Sequence, residues 1–249
     1  MGGTITARRV LAAGISFSIC CLANVAYPEA PTIASAKGVV SGLVAYGGAP
    51  PSPVPVTITK DREVCGTAPV FEQSLLVGHD HGLANVVVTL SSTEHGQPLK
   101  PLPAVQFDQK GCQYVPHVLL FPAGSTIVIL NSDGILHNIR TESVVNPVID
   151  MAQPGFKKQI RVTIQKPEII RVTCDAHNWM EGWWYVTATP YYAITGNDGR
   201  YVIRGVPPGS YTLRFWQEEL GTHSQPLVTH PGAVTAVNFT FKPRKNQGS

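Results

Sequence analysis

Apolar and polar residues alternate along much of this chain, and Gly or Pro interrupts the alternation at short intervals. Gly38-Val-Val-Ser-Gly-Leu-Val-Ala-Tyr46 has the two-residue period of a half-buried strand, and Gly47-Gly-Ala-Pro-Pro-Ser-Pro53 ends it. The same signature predicts strands over Leu83–Leu90, Gln113–Phe121, Thr126–Leu130, Lys157–Ile164, Glu168–Cys174, Gly182–Thr187 and Val234–Phe241. Pro122-Ala-Gly124, Pro167, Asn197-Asp-Gly199 and Pro207-Pro-Gly209 supply turns between these runs. The expected fold class is all-β.

Composition supports that reading. The 249 residues allow one large or two modest domains, and 43% hydrophobic residues are ample for cores. Only 14% are charged, while 23 Gly and 21 Pro suit short strands joined by tight turns. The formal charge of +3 comes without a basic run or a basic-aromatic stripe, which argues against a nucleic-acid partner. Residues 1–36 read as an export signal: Arg8-Arg9, then an apolar run from Val10 to Ala26, then Ala34-Ser-Ala36 as an A-x-A cleavage site. A cut after Ala26 is the alternative. No stop-transfer pattern follows, so no membrane association is expected after processing. Ile19 before Cys20 argues against lipidation. A periplasmic location follows, with the Sec route preferred over the twin-arginine route that Arg8-Arg9 hints at.

Candidate chemistry is concentrated in Cys174-Asp-Ala-His177-Asn-Trp-Met180, a C-x2-H-x2-M pattern just after a predicted strand. A second histidine, His137, opens another β-rich run after Asn131-Ser-Asp-Gly-Ile-Leu136. One thiolate, two imidazoles and a thioether make the trigonal, axially capped donor set of an electron-transfer copper centre. The bland alternative makes Met180 and Trp179 core residues and Cys174 a buried thiol or half of a disulfide.

At these residues the chain resembles the cupredoxins. The short Cys-to-Met loop is similar to that of amicyanin, and Leu136-His137-Asn138 resembles the matching segment of amicyanins and plastocyanins. The resemblance implies His137, Cys174 and His177 as equatorial ligands and Met180 as the axial one. It also implies that Asn138 ties the two ligand loops together and hydrogen-bonds near the sulfur, and that His177 is the route for electrons. Asp175 follows the cysteine, where those families often carry a small or hydroxyl residue. If Cys174 is a ligand, Cys65 and Cys112 become the natural disulfide among the three cysteines outside the signal, although any two of them could pair.

Lys37–Ile58 resembles the opening of a carboxypeptidase-regulatory-like (transthyretin-like) β-sandwich, and Thr195–Trp216 resembles the most recognisable part of that family. The expected segments are 37–104 as an N-terminal β-rich part, 105–189 as the cupredoxin part, and 190–249 as the regulatory-like module with a polar tail. One split sandwich and two separate pieces both remain open. Cupredoxins joined to such a module resemble periplasmic proteins labelled as methylamine-utilisation proteins. His79-Asp80-His81 sits between Gly78 and Gly82 and is expected to be a solvated turn rather than a second copper site. His117 is expected to be a packed strand residue. Trp179, Trp183 and Trp184 fit a shell around the copper, a docking patch or plain core.

The expected function is one-electron transfer at a single type 1 copper, with a redox protein as partner and no enzymatic activity. Oxygen chemistry would need more copper ions, and the remaining histidines are scattered. A copper carrier using the same ligands and a metal-free β-sandwich that binds carbohydrate or protein are the alternatives.

Overall fold

The computed structural model describes residues 1–4, 36–92 and 98–244; nearly all of the expected export signal, His95 and residues 245–249 lie outside them. The described chain opens with β1 (Gly38–Tyr46), the single-turn helix α1 (Arg62–Cys65) and β2 (Val87–Ser91). Nine strands follow: β3 (Val105–Lys110), β4 (Gln113–Val115), β5 (Val118–Pro122), β6 (Thr126–Asn131), β7 (His137–Glu142), β8 (Asp150–Gln153), β9 (Gln159–Thr163), β10 (Glu168–Thr173) and β11 (Glu181–Thr187). The last are β12 (Tyr192–Ile194), β13 (Arg200–Val206), β14 (Gly209–Gln217), β15 (Gly221–Thr229), β16 (Val234–Ala236) and β17 (Phe239–Phe241).

Strand pairing divides these elements into two β-sandwiches. Sheets ordered β4-β3-β6-β9 and β5-β11-β10-β7-β8 form one, built from the central strands alone. Sheets ordered β13-β1-β16 (with β17 also on β1) and β12-β2-β14-β15 form the other. β1 and β2 therefore pair with strands more than a hundred residues later, Gly42 opposite Tyr201 and Phe215 opposite Val88. Of the two arrangements open to the sequence, the structure has one sandwich that is interrupted after β2 and resumed at β12. All-β architecture with two sandwiches agrees with the expected fold class.

Alternation decides which residues fill each core. Phe107, Phe121, Ile127, Ile129, Ile139, Ile170, Val172 and Trp184 fill the central sandwich, and Val40, Val44, Val88, Leu90, Ile203, Leu213 and Phe215 fill the split one. Val87, Val118, Tyr185 and Trp216 pack together between them. At the same junction Glu218 holds His117 Nε2 at 2.5 Å and accepts from Trp183 Nε1.

Three predicted strands differ in detail. Gln113–Phe121 is two strands in different sheets, because Pro116 has no N–H to continue a ladder. The central sandwich therefore has nine strands, four in one sheet and five in the other. The strand expected from Leu83 starts only at Val87, since Asn85 takes a left-handed φ of 59°. Val234–Phe241 is broken where Asn238 Oδ1 accepts the Leu43 N–H that a ladder bond would otherwise take.

The loop after β7 is held from β10. Glu168 accepts from Ser143 Oγ at 2.6 Å, from the Val145 and Asn146 N–H groups at 2.9 and 3.0 Å, and from Asn146 Nδ2 at 2.9 Å. Desolvation pushes its carboxyl up, but these bonds outweigh it and hold the group at about 2 against an ordinary 4.5. A carboxyl depressed on folding stabilises above its unfolded value, and the contribution is lost as pH falls through the folded one. Glu168→Ala should cost about 1–3 kcal/mol at neutral pH. Denaturant titrations should show the gap between the two proteins closing as pH falls from 4.5 towards 2.

Candidate metal centre

β10 runs antiparallel to β7, with Arg171 opposite Glu142 and Thr173 opposite Arg140. Continuing that register sets Cys174, the residue after β10, beside the first residues of β7. His137 is the first residue of β7 and pairs with Gln153 of β8. The turn before it is built by buried Asn131, whose Nδ2 donates to the Ile135 and Gln153 carbonyls at 2.8 and 3.0 Å, and whose Oδ1 accepts from Gly134 N–H at 3.0 Å. Between β10 and β11 the loop closes on itself: Cys174 N–H donates to the Met180 carbonyl at 3.3 Å, and Met180 N–H to that of His177 at 3.0 Å.

Three residues of the sequence pattern bring their donor atoms together, and Met180 is buried in the same core. His137 and His177 are fully buried, and Cys174 and Met180 are 3% and 2% exposed. Cys174 Sγ lies 3.9 Å from His137 Nδ1 and 3.8 Å from His177 Nδ1, and the two nitrogens are 3.1 Å apart. A point equidistant from three atoms so spaced lies about 2.1 Å from each, within the roughly 2.0–2.3 Å that imidazole and thiolate take on zinc. The donor set fits a metal of that size, and its His2Cys composition suits copper.

Asn138 makes the link to the sulfur that the resemblance implies, through its backbone, and Asp175 bridges to β7 at the surface. The backbone N–H of Asn138 donates to Cys174 Sγ at 3.3 Å, but its side-chain amide donates to Asp150 at 3.0 Å on the neighbouring strand. Its Oδ1 is buried without a partner. Asp175 is exposed and lies 3.5 Å from Arg140 of β7, so a surface ion pair spans the loops.

Two carboxylates that the sequence reading missed lie behind the imidazoles. Asp133 Oδ2 is 3.0 Å from His137 Nε2, and the same carboxylate accepts from the Gly111 and Cys112 N–H groups at 2.6 and 2.9 Å. Asp61 Oδ2 is 2.8 Å from His177 Nε2. Asp133 had a faint signal, an acid four residues before a candidate ligand in a turn; Asp61, 116 residues from His177, had none. The expected electron route through His177 meets a ring with no surface exposure.

Electrostatics follow from these contacts. Desolvation pushes the Cys174 thiol up, but His137 and the N–H groups of Asn138, His177 and Ala176 outweigh it and hold it low. Burial lowers His137, yet Asp133 and Cys174 raise it to about 9. His177 is lowered, by burial first, with Asp61 opposing.

Other candidates fall elsewhere. Cys65 and Cys112 form a disulfide, as the cysteine arithmetic anticipates, and Cys174 is free and buried. Among the described residues, every group of three able to hold a metal includes His137 or His177. His79-Asp80-His81 is an exposed turn, with Asp80 and His81 at positive φ. The tryptophans separate: Trp184 is core, Trp183 lies at the junction against Trp216, and Trp179 sits half-buried 5.0 Å from the His177 ring.

Residues 185–242 match the model of the carboxypeptidase regulatory-like domain. No curated protein matches the chain. A Cu-containing nitrite reductase from Thermus scotoductus SA-01 is 27% identical over 37% of this chain, with a TM-score of 0.31, and the chain spans only 24% of that enzyme. A purple cupredoxin from Nitrosopumilus maritimus is 21% identical over 33% of this chain and 98% of its own, with a TM-score of 0.28. Amicyanin from Paracoccus versutus is 17% identical over 40% and 98%, with a TM-score of 0.31. The chain carries a carboxypeptidase regulatory-like segment, and its structural neighbours are cupredoxins.

Proposed function

We propose that this chain is an exported one-electron carrier with a single type 1 copper. His137, Cys174 and His177 would hold the metal in a plane, with Met180 as the weak axial donor. The observation that carries this reading is the convergence of three soft or borderline donors at mutual distances of 3.1–3.9 Å inside a sandwich core. Copper bound there would exchange one electron through a covalent thiolate bond, at a potential tuned by the axial ligand.

The chain's own groups prepare the site for that task. Cys174 is favoured as a thiolate by N–H donors from both ligand loops. Asp133 and Asp61 occupy the outer ring nitrogens, which leaves each Nδ1 facing inward. Phe107, Tyr114, Ile139 and Val172 lie fully buried in the same core, which favours exclusion of water. Donors fixed by two paired strands need not rearrange when an electron arrives. The Cys65–Cys112 disulfide is consistent with an oxidising compartment and so with export to the periplasm. No helix among the described residues is long and apolar enough to cross a membrane. A protein redox partner remains the expected counterpart, and no catalytic activity is assigned.

Addition of Cu(II) to the mature protein should produce an intense thiolate-to-copper absorption band and narrow copper hyperfine splitting. Both should vanish in Cys174→Ser. A colourless protein, or signals unchanged by the substitution, would sink this reading in favour of a metal-free binding module. Met180→Leu should keep the band but raise the reduction potential, because Cu(II) loses a donor. Met180→Gln should lower it, because a harder oxygen favours Cu(II); square-wave voltammetry of both variants checks the sign.

A further inference from the structure

Asp61 reaches the metal centre from outside the central sandwich. It belongs to the long connection between β1 and β2 of the split sandwich, yet its Oδ2 lies 2.8 Å from His177 Nε2. It occupies the N-cap position of α1, where an Asp ordinarily turns its carboxylate onto its own helix. Here there is no side-chain cap bond. The residue is held at φ 49° and ψ 44°, a left-handed conformation that an Asp adopts more readily than most residues but still at some cost. Its carboxylate is given to His177 instead.

The surrounding segment is built to keep it there. Val64 and Cys65 N–H donate to the Asp61 carbonyl at 3.0 and 2.8 Å, and Arg62 Nε donates to the Ile58 carbonyl at 3.1 Å. Cys65 is bonded to Cys112, in the turn between β3 and β4. That turn is tied to both imidazoles: Cys112 N–H donates to Asp133, the partner of His137, and the Cys112 carbonyl accepts from Trp179 Nε1 at 3.2 Å, beside His177. The Asp61 side chain is 32% exposed while His177 is fully buried, so this segment lies between the ring's outer edge and solvent.

Resting on the type 1 reading above, we propose that Asp61 is a positioning residue for the metal, a clamp delivered by the split sandwich and locked by the Cys65–Cys112 disulfide. It fixes the His177 ring with Nδ1 towards Cys174 and closes its other edge. A carboxylate on the outer nitrogen also makes the imidazole a stronger donor, and losing such a partner costs about 10–100-fold in metal affinity.

The test uses the full mature protein with Asp61→Ala and Asp61→Asn. In the metal-free state, diethylpyrocarbonate modification mapped by mass spectrometry reads the accessibility of His177. The wild type should be protected and Asp61→Ala modified. Asp61→Asn, which can still accept the hydrogen bond, should stay protected. With copper, chelator competition should show affinity falling about 10–100-fold in Asp61→Ala, and voltammetry should show a raised potential in both variants. Unchanged circular dichroism would separate these effects from unfolding. His177 equally protected in all three proteins, with copper affinity unchanged, would overturn the clamp. A wild type that takes up no copper would overturn the type 1 reading alone, because the metal-free accessibility still decides whether Asp61 holds the ring.

Discussion

Antiparallel pairing of β7 with β10 determines where the cysteine can be. Thr173 lies opposite Arg140, so Cys174 leaves its strand within reach of the Asn138 N–H, one residue from His137. Side chains such as Ile139, Ile170 and Val172 hold those two strands in register by packing into one core. A slip of one residue would turn His137 away from the thiol and expose the apolar set. The candidate metal site is thus a by-product of the same alternation that buries the core, and its rigidity is the rigidity of the sheet.

Gathering a thiol and two imidazoles in an apolar interior carries a desolvation cost that only hydrogen bonds can offset. Each group has such a partner. Cys174 Sγ takes a backbone N–H, His137 has Asp133, and His177 has Asp61. The partners come from three different places: a strand of the central sandwich, the turn before it, and a connection of the other sandwich. That last origin gives the split architecture a consequence beyond topology. The interrupted sandwich meets the inserted one twice, through the Trp183, Trp216, Glu218 and His117 junction and through the segment that carries Asp61 and Cys65.

Much of this was legible along the chain, because the relevant signals are local. Two-residue alternation marked the strands, and C-x2-H-x2-M confines three donors to one short loop wherever that loop sits. The failures share one physical origin. Gln113–Phe121 reads as a single strand by period, but a ladder also needs an N–H at Pro116. Val234–Phe241 reads as one strand until Asn238 competes for the Leu43 N–H from 195 residues away. Asn138 does reach the Cys174 sulfur, but by its backbone N–H, while its side chain turns to Asp150 on the neighbouring strand.

The sequence by itself determined the all-β class, singled out His137, Cys174, His177 and Met180 as candidate donors, and left Cys65 and Cys112 as the natural pair once Cys174 is set aside. Those follow from residue chemistry and short spacings, which need no knowledge of neighbours. Only the tertiary structure decided that β1 and β2 belong with β12–β17, that His177 is sealed from the surface, and that Asp133 and Asp61 stand behind the imidazoles. Each of the last contacts depends on where a turn or long connection comes to rest, and hydrophobic period carries no information about that. An acid at position 61 looks like any solvated helix start until folding brings it 2.8 Å from a histidine 116 residues away.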